Sequence, residues 1–217
     1  MKRVEVECVN PDNIGWLKYK LSKKEMDYVW KCIENKKEKV NGTLAGNIKE
    51  SNKLVDRGNW FWLNVLLPLV NLYAEAYVNL GALNHPLTNK VKHPMELYSW
   101  WVNYQRQTDF NPIHTHGGVY SFVIFMKIPE GASYTKQKRM KMGSQTNAPL
   151  SGVFELSFIN TLGAIKTYPY YLEPSDNGTI LFFPSQFRHC VYPFSNCDEE
   201  RITVSGNIGI NIAKRIY

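Results

Sequence analysis

The fold of this chain is decided by the sequence YSFVIFMKI at residues 120–128. This run is rich in β-branched and aromatic residues and contains neither glycine nor proline. A short, nearly continuous apolar run of this kind is typical of a strand that is buried on both faces. We therefore predict a central strand here.

Further strands are predicted on both sides of residues 120–128. β-forming or alternating apolar residues occupy 97–104, 153–159, 179–183 and 201–210, and Pro, Gly and Asn turns separate them. Short strands with such turns indicate an antiparallel sandwich or barrel.

The first part of the chain has a helical pattern. Ser22 and Glu25 form the spacing of a capping box at the start of a helix that we expect to end near Asn35. A second helix is predicted over residues 60–80, and Pro68 is expected to kink it because proline lacks an amide donor. The predicted fold class is therefore mainly β with N-terminal helices (α+β).

The length of 217 residues suits one domain, 1–217. We expect residues 1–94 to form a helical support and 95–217 to form the β core, with loops at 40–56 and 131–150.

Composition and charge limit the partners and the cellular compartment that we expect. The net charge of +7 leaves nucleic acid open as a partner. No apolar run approaches the roughly 20 residues that span a bilayer, so no membrane partner is expected. The four cysteines, which form no CxxC pair, and the lack of a secretory signal favour a reducing cytoplasm, or a host cytoplasm for a viral protein. Whether the protein forms a homodimer is left open by the sequence.

Three histidines are candidates for a metal site. His114 and His116 lie two residues apart, and on an extended chain this spacing puts both side chains on one face. His189 follows the predicted strand at 179–183 and could supply a third imidazole. Three imidazole nitrogens suit Fe, Zn, Cu or Ni. Each histidine alone is more often a packing residue, so the prediction depends on what lies downstream.

Arg201 and Thr203 follow His189 at a suggestive distance. A ligand near the end of one strand and an arginine on the next can face the same cavity. The planar guanidinium group binds a carboxylate through two hydrogen bonds, and the Thr203 hydroxyl could add a third. A metal-chelating 2-keto acid with a second carboxylate needs this combination.

These segments resemble the 2-oxoglutarate/Fe(II) dioxygenase superfamily, whose motif is His-x-Asp/Glu, a long gap, His, about ten to thirteen residues, then Arg or Lys. They are most similar to a microbial and phage branch of oxygenases within it. The likeness spans residues 97–210 and rests on NPIHTH (111–116), FFPSQFRH (182–189) and RITVSGN (201–207).

The resemblance implies a double-stranded β-helix (jelly-roll) core and a hydroxylase that uses Fe(II) and 2-oxoglutarate, with ascorbate as a reductant. It implies that His114, His116 and His189 bind the metal and that Arg201 and Thr203 hold the co-substrate. The chain departs from the superfamily at His116, where a carboxylate is usual. We favour His116 as the ligand because of its spacing, and Glu155 or Asp109 stays open.

Three further residues are given roles in the pocket. Tyr104 is expected to donate a hydrogen bond to the co-substrate, and Ser121 and Asn207 to line the cavity. The substrate is not evident from the sequence. The resemblance weakly favours a protein or peptide over a small molecule.

Two other classes of protein stay open. A cupin-type metal enzyme without 2-oxoglutarate also begins with His-x-His, but it needs a glutamate where the chain has Tyr120 or Ser121. A non-catalytic β-sandwich, such as a viral structural or sugar-binding module, would leave the position of Arg201 unexplained.

Overall fold

The computed structural model describes residues 13–77, 94–139 and 149–211. Within these ranges ten strands form two antiparallel sheets. The larger sheet contains, in spatial order, β1 (Leu17–Lys20), β8 (Thr179–Pro184), β5 (Tyr120–Lys127), β10 (Arg201–Ile210), β3 (Met95–Gln105) and β2 (Glu50–Lys53). The smaller sheet contains β4 (Asn111–His114), β9 (Arg188–Val191), β6 (Phe154–Ile159) and β7 (Ile165–Tyr170).

The eight strands from β3 to β10 pass back and forth between the sheets. β3, β5, β8 and β10 lie in the larger sheet, while β4, β6, β7 and β9 lie in the smaller one. This alternation produces the jelly-roll connectivity of a double-stranded β-helix. The predicted fold class is confirmed.

In the described ranges, two α-helices come before β3 and a third follows β5. Helix α1 (Lys23–Glu34) begins with the predicted capping box, in which Ser22 and Glu25 exchange hydrogen bonds. Helix α2 (Leu67–Ala76) follows a wider π-helical turn at Trp62–Leu66. Pro68 comes just after this turn, near the start of α2. Helix α3 is Tyr134–Arg139.

The larger sheet separates two hydrophobic cores. Helices α1 and α2 pack on its outer face, where Phe122, Ile124 and Val204 join a cluster with residues of both helices. Its inner face packs against the smaller sheet through Val123 and Phe125. Neighbouring residues of β5 therefore belong to different cores, which explains why the run at 120–128 is apolar throughout.

Three predictions about local structure are wrong. The segment 40–56 is not only loop, because it contains β2. The segment 131–150 begins with the end of a 3₁₀ turn (Glu130–Ala132) and with α3, while residues 140–148 lie outside the described ranges. The part before residue 95 is not purely helical, since β1 and β2 extend the larger sheet.

No helix in the described part of the chain is long and apolar enough to cross a membrane.

Candidate active site

The fold brings His114, His116 and His189 together. His114 on β4 lies directly opposite His189 on β9, and His116 follows two residues after His114. One ligand nitrogen from each ring lies within 4.8 Å of the others. Nε2 of His116 is 3.1 Å from Nε2 of His189. Within the described ranges, no other three His, Cys, Asp or Glu residues form such a group.

Hydrogen bonds fix which nitrogen of two of these rings is available. Nδ1 of His114 lies 2.7 Å from the Pro112 carbonyl oxygen, and Nδ1 of His189 lies 3.0 Å from that of Phe187. A carbonyl oxygen only accepts, so each Nδ1 carries the proton and each Nε2 has a free lone pair. Carbonyl groups that orient histidines in this way are common around metal sites.

Burial keeps two of the histidines neutral. Burial first, and the nearby His114 second, lower the pKa of His189 to about 3 and that of His116 to about 4. Neutral imidazole is the form that binds a metal. Two nitrogens that each lie about 2.1 Å from one ion, at about 90°, are roughly 3.0 Å apart, which matches the 3.1 Å between His116 and His189. The three side chains therefore fit a metal ion.

The two alternative carboxylate ligands lie elsewhere. On β6, Phe154 and Leu156 face the inner core, so Glu155 projects from the other face, where Cys190 is 4.0 Å from its Oε1. Asp109 is buried, and its carboxylate accepts from the backbone amide of Arg106. Neither residue belongs to the histidine group.

Arg201 lines the same pocket as the three histidines. Its side chain is among the most deeply buried of the large residues, with 1% of its surface exposed. Nε and Nη2 donate to Gln105 Oε1 at 2.9 and 2.6 Å, Nη1 donates to the Gly152 carbonyl oxygen, and the group lies over the Phe194 ring.

The charge of Arg201 has no carboxylate partner among the described residues. Burial lowers its pKa to about 10. A guanidinium group has five N–H donors, and the protein uses three of them. One N–H on each terminal nitrogen is left for an external acceptor. A buried, unpaired cation with two free donors is a site for a carboxylate.

A polar wall extends from Arg201 along the inner face of the larger sheet. Thr203 lines the pocket together with Ser205, Asn103 and Ser51, and the last three were not predicted. Asn103 links them: it accepts from the Ser51 hydroxyl at 2.7 Å, and its amide lies 3.4 and 3.5 Å from the hydroxyls of Thr203 and Ser205.

Tyr104 does not belong to the pocket, and its predicted role is wrong. It lies on the outer face of β3, in the core formed with the helices, and its hydroxyl lies 3.0 Å from the Lys36 ammonium group. Asn103 and Gln105, the polar residues on either side of it, are the ones that line the pocket. Their alternation with apolar Val102 and Tyr104 was a signal that the sequence contained.

Ser121 and Asn207 do not line the pocket either. They form a separate buried network, in which the Ser121 hydroxyl lies 2.8 Å from Asn207 Oδ1 and 3.1 Å from the Ser185 hydroxyl. The Ser185 carbonyl oxygen accepts from the backbone amide of His116. The predicted pocket-lining role is therefore wrong, and the two residues support the chain next to His116.

A further wall of the pocket comes from the segment before β2. Leu44, Gly46 and Ile48 line it, and the amide of Asn47 donates to the Phe110 carbonyl oxygen next to β4. This segment was predicted to be a loop and was assigned no role in the site. The free space of the pocket, counted together with its mouth that opens to solvent, is about 770 Å³.

The comparisons with known proteins agree with this arrangement. Residues 99–207 match the family described as "Putative 2OG-Fe(II) oxygenase". No curated protein sequence matches the chain. The structure is similar to a prolyl-4-hydroxylase from Pseudomonas putida, with 14% identity, a TM-score of 0.50, and coverage of 91% of this chain and 94% of that chain.

A second similar structure is the viral collagen prolyl hydroxylase of Paramecium bursaria Chlorella virus-1, solved with 2-oxoglutarate. It has 12% identity, a TM-score of 0.49, and coverage of 89% of this chain and 94% of that chain. At these identities the likeness concerns the fold alone, and the family match extends over half of the chain. The chain therefore belongs to the 2OG-Fe(II) oxygenase family, whose members are enzymes that depend on ferrous iron and 2-oxoglutarate.

Proposed function

We propose that His114, His116 and His189 hold the ferrous ion of this oxygenase and that Arg201 binds the far carboxylate of 2-oxoglutarate. The observation that carries the proposal is the buried charge of Arg201, which has no carboxylate partner among the described residues and lines the same pocket as the three imidazoles. The dicarboxylate would supply the missing anion while its keto-acid end reaches the metal.

Other residues would orient the reactants and exclude water. Thr203, two residues after Arg201 on β10 and also part of the pocket lining, would donate its hydroxyl to the same carboxylate. Val123, Phe125 and Phe183 form apolar parts of the wall. When bound, iron and 2-oxoglutarate would turn dioxygen into an oxidant for a C–H bond of the substrate: one oxygen atom goes into succinate as carbon dioxide is released, and the other is left for the substrate. Apolar walls that exclude water protect such an oxidant from side reactions.

The substrate that we propose is a peptide or protein side chain. The Pseudomonas putida protein of the same fold is a prolyl-4-hydroxylase by name. Around the histidines, Phe110 and Ile113 are 39% and 56% exposed, which suits contact with an apolar partner. β4 is an edge strand of the smaller sheet, and an extended peptide can pair with such an edge. The free thiols of Cys32, Cys190 and Cys197 fit the proposed cytoplasmic setting.

Two measurements test the ligand set. Purified protein with Fe(II), 2-oxoglutarate and ascorbate is expected to form succinate, even without a substrate. His116→Ala should lose both succinate formation and most of its metal affinity, measured by titration with Mn(II). Glu155→Ala is the matched control and should keep both. If Glu155→Ala lost metal affinity while His116→Ala retained it, the three-histidine site would be rejected.

A further test concerns the substrate class. Peptide libraries incubated with the active enzyme are expected to yield products that have gained one oxygen atom, detected by mass spectrometry. Oxidation of nucleic acid bases but of no peptide would reject the peptide proposal and leave the metal site untouched.

A further inference from the structure

Gln105 lies directly opposite Arg201 in the pairing of β3 with β10. Its side-chain oxygen accepts from two nitrogens of the guanidinium group, Nε and Nη2. Its side-chain amide donates in turn to the Asp109 carbonyl oxygen at 2.7 Å. Gln105 is 2% exposed, so this chain of bonds is shielded from water. The orientation of Arg201 is therefore set from β3.

The chemical type of residue 105 matters as much as its position. Arginine commonly pairs two of its nitrogens with a carboxylate, and Gln105 occupies the position that such a carboxylate would take. An amide oxygen provides the same acceptor without a negative charge. The guanidinium group is held by two hydrogen bonds, as in an ion pair, yet its positive charge is left uncompensated.

We propose that Gln105 is a positioning residue that orients Arg201 and leaves its charge uncompensated for the far carboxylate of the co-substrate. This inference rests on the proposed function, in which Arg201 binds that carboxylate. Both polar ends of the Gln105 side chain are engaged by the protein, so it would act through Arg201 rather than by binding the co-substrate. It determines how strongly the pocket prefers a dicarboxylate over a keto acid that lacks the second carboxylate.

The test compares 2-oxoglutarate with pyruvate, which shares the metal-chelating end but has no far carboxylate. Gln105→Glu keeps the shape and the acceptor oxygen but neutralises the guanidinium charge. The dissociation constants are measured by calorimetry on the Mn(II)-loaded protein. We expect the dissociation constant of pyruvate divided by that of 2-oxoglutarate to fall about tenfold or more, because charged hydrogen bonds contribute more than neutral ones. Mn(II) affinity and pyruvate affinity should not change.

Gln107→Glu is the matched control. Gln107 is exposed in the same segment, and its substitution adds the same charge outside the pocket. It should leave the ratio unchanged. Gln105→Leu is a second variant that removes the acceptor without adding charge, and it should raise KM for 2-oxoglutarate while kcat in succinate formation is kept.

The outcomes separate the inference from the proposed function. A Gln105→Glu protein whose ratio stays within about twofold of the original would overturn the role of Gln105, because loss of even one charged hydrogen bond exceeds that factor. A parallel loss of Mn(II) or pyruvate affinity would also overturn it, since general damage would then explain the result. If the unaltered protein showed no preference for 2-oxoglutarate over pyruvate, the assignment of Arg201 itself would fail.

Discussion

Removing the Arg201 charge is expected to abolish tight binding of 2-oxoglutarate. Arg201→Met keeps the length of the side chain but none of its donors. In the structure, one N–H on each terminal nitrogen is left for an external acceptor. Hydrogen bonds to charged groups contribute about 1.5–3 kcal/mol each, so two of them contribute about 3–6 kcal/mol. This corresponds to a loss of affinity of roughly 10²-fold to 10⁴-fold.

Arg201→Lys provides an intermediate step. Lysine keeps the positive charge but cannot present two parallel donors. It should lose about one of the two bonds, and the affinity for 2-oxoglutarate should fall roughly tenfold to 150-fold. The affinity for 2-oxoglutarate should therefore decrease from Arg to Lys to Met at position 201, because the number of hydrogen bonds to its carboxylate decreases in the same order.

The assay is calorimetric titration of 2-oxoglutarate into the Mn(II)-loaded protein, with the midpoint of urea unfolding as a check on stability. Arg106→Met serves as the control, because Arg106 is exposed and pairs with Glu200 outside the pocket. The reasoning would be refuted by an Arg201→Met protein that is folded, binds Mn(II) normally and binds 2-oxoglutarate within threefold of the original affinity.

Three further results are expected. Because burial lowers the pKa of His116 to about 4 and that of His189 to about 3, the unfolded metal-free chain takes up protons first as the pH falls below about 6.5. Each of the two histidines should therefore lower the free energy of unfolding by about 2 kcal/mol between pH 7.5 and pH 5, measured by urea titration. An unchanged stability would contradict the burial argument. Gly206→Val should destabilise the protein by about 1–3 kcal/mol, because a Cβ there would lie 2.5 Å from the Phe122 ring, and an unshifted urea midpoint would contradict this. Asp56→Ala should cost about 1–2 kcal/mol in the same assay, since its carboxylate accepts from two amides at the start of the second helical segment, and an unchanged midpoint would show that water replaces it.

Local spacing in the sequence was sufficient for the parts of the site that lie close together in the chain. The two-residue spacing of His114 and His116 predicts a shared face, and so does that of Arg201 and Thr203, and all four line the pocket. The capping box of α1 is also local, and it was predicted correctly.

Contacts between distant strands were not predictable in this way. Arg201 and Gln105 are 96 residues apart in the chain, and only the register of β3 against β10 brings them together. Tyr104 was assigned to the pocket although it lies one residue out of phase. In a β-strand an error of one residue moves a side chain to the opposite face of the sheet.

The short strands were missed for a related reason. β4 and β9 have four residues each, and β4 contains a proline, so neither has the alternation that identifies a strand. Their pairing is nevertheless what brings His114 opposite His189. The two strands that bring the histidines together therefore have the weakest local signal. β9 lies between β4 and β6, so pairing rather than composition specifies it as a strand.

In the proposed site the charges of the pocket explain why a carboxylate is not needed as the third metal ligand when the co-substrate is a dianion. Three neutral imidazoles leave the full charge of a divalent ion uncompensated, and Arg201 adds one more positive charge from the other sheet. 2-Oxoglutarate, with two carboxylates, would reduce this excess at both ends at once. The metal ligands on β4 and β9 and the clamp on β10 would then be joined only through the co-substrate. Metal binding and 2-oxoglutarate binding should therefore strengthen each other, since each ligand brings the charge that the other lacks.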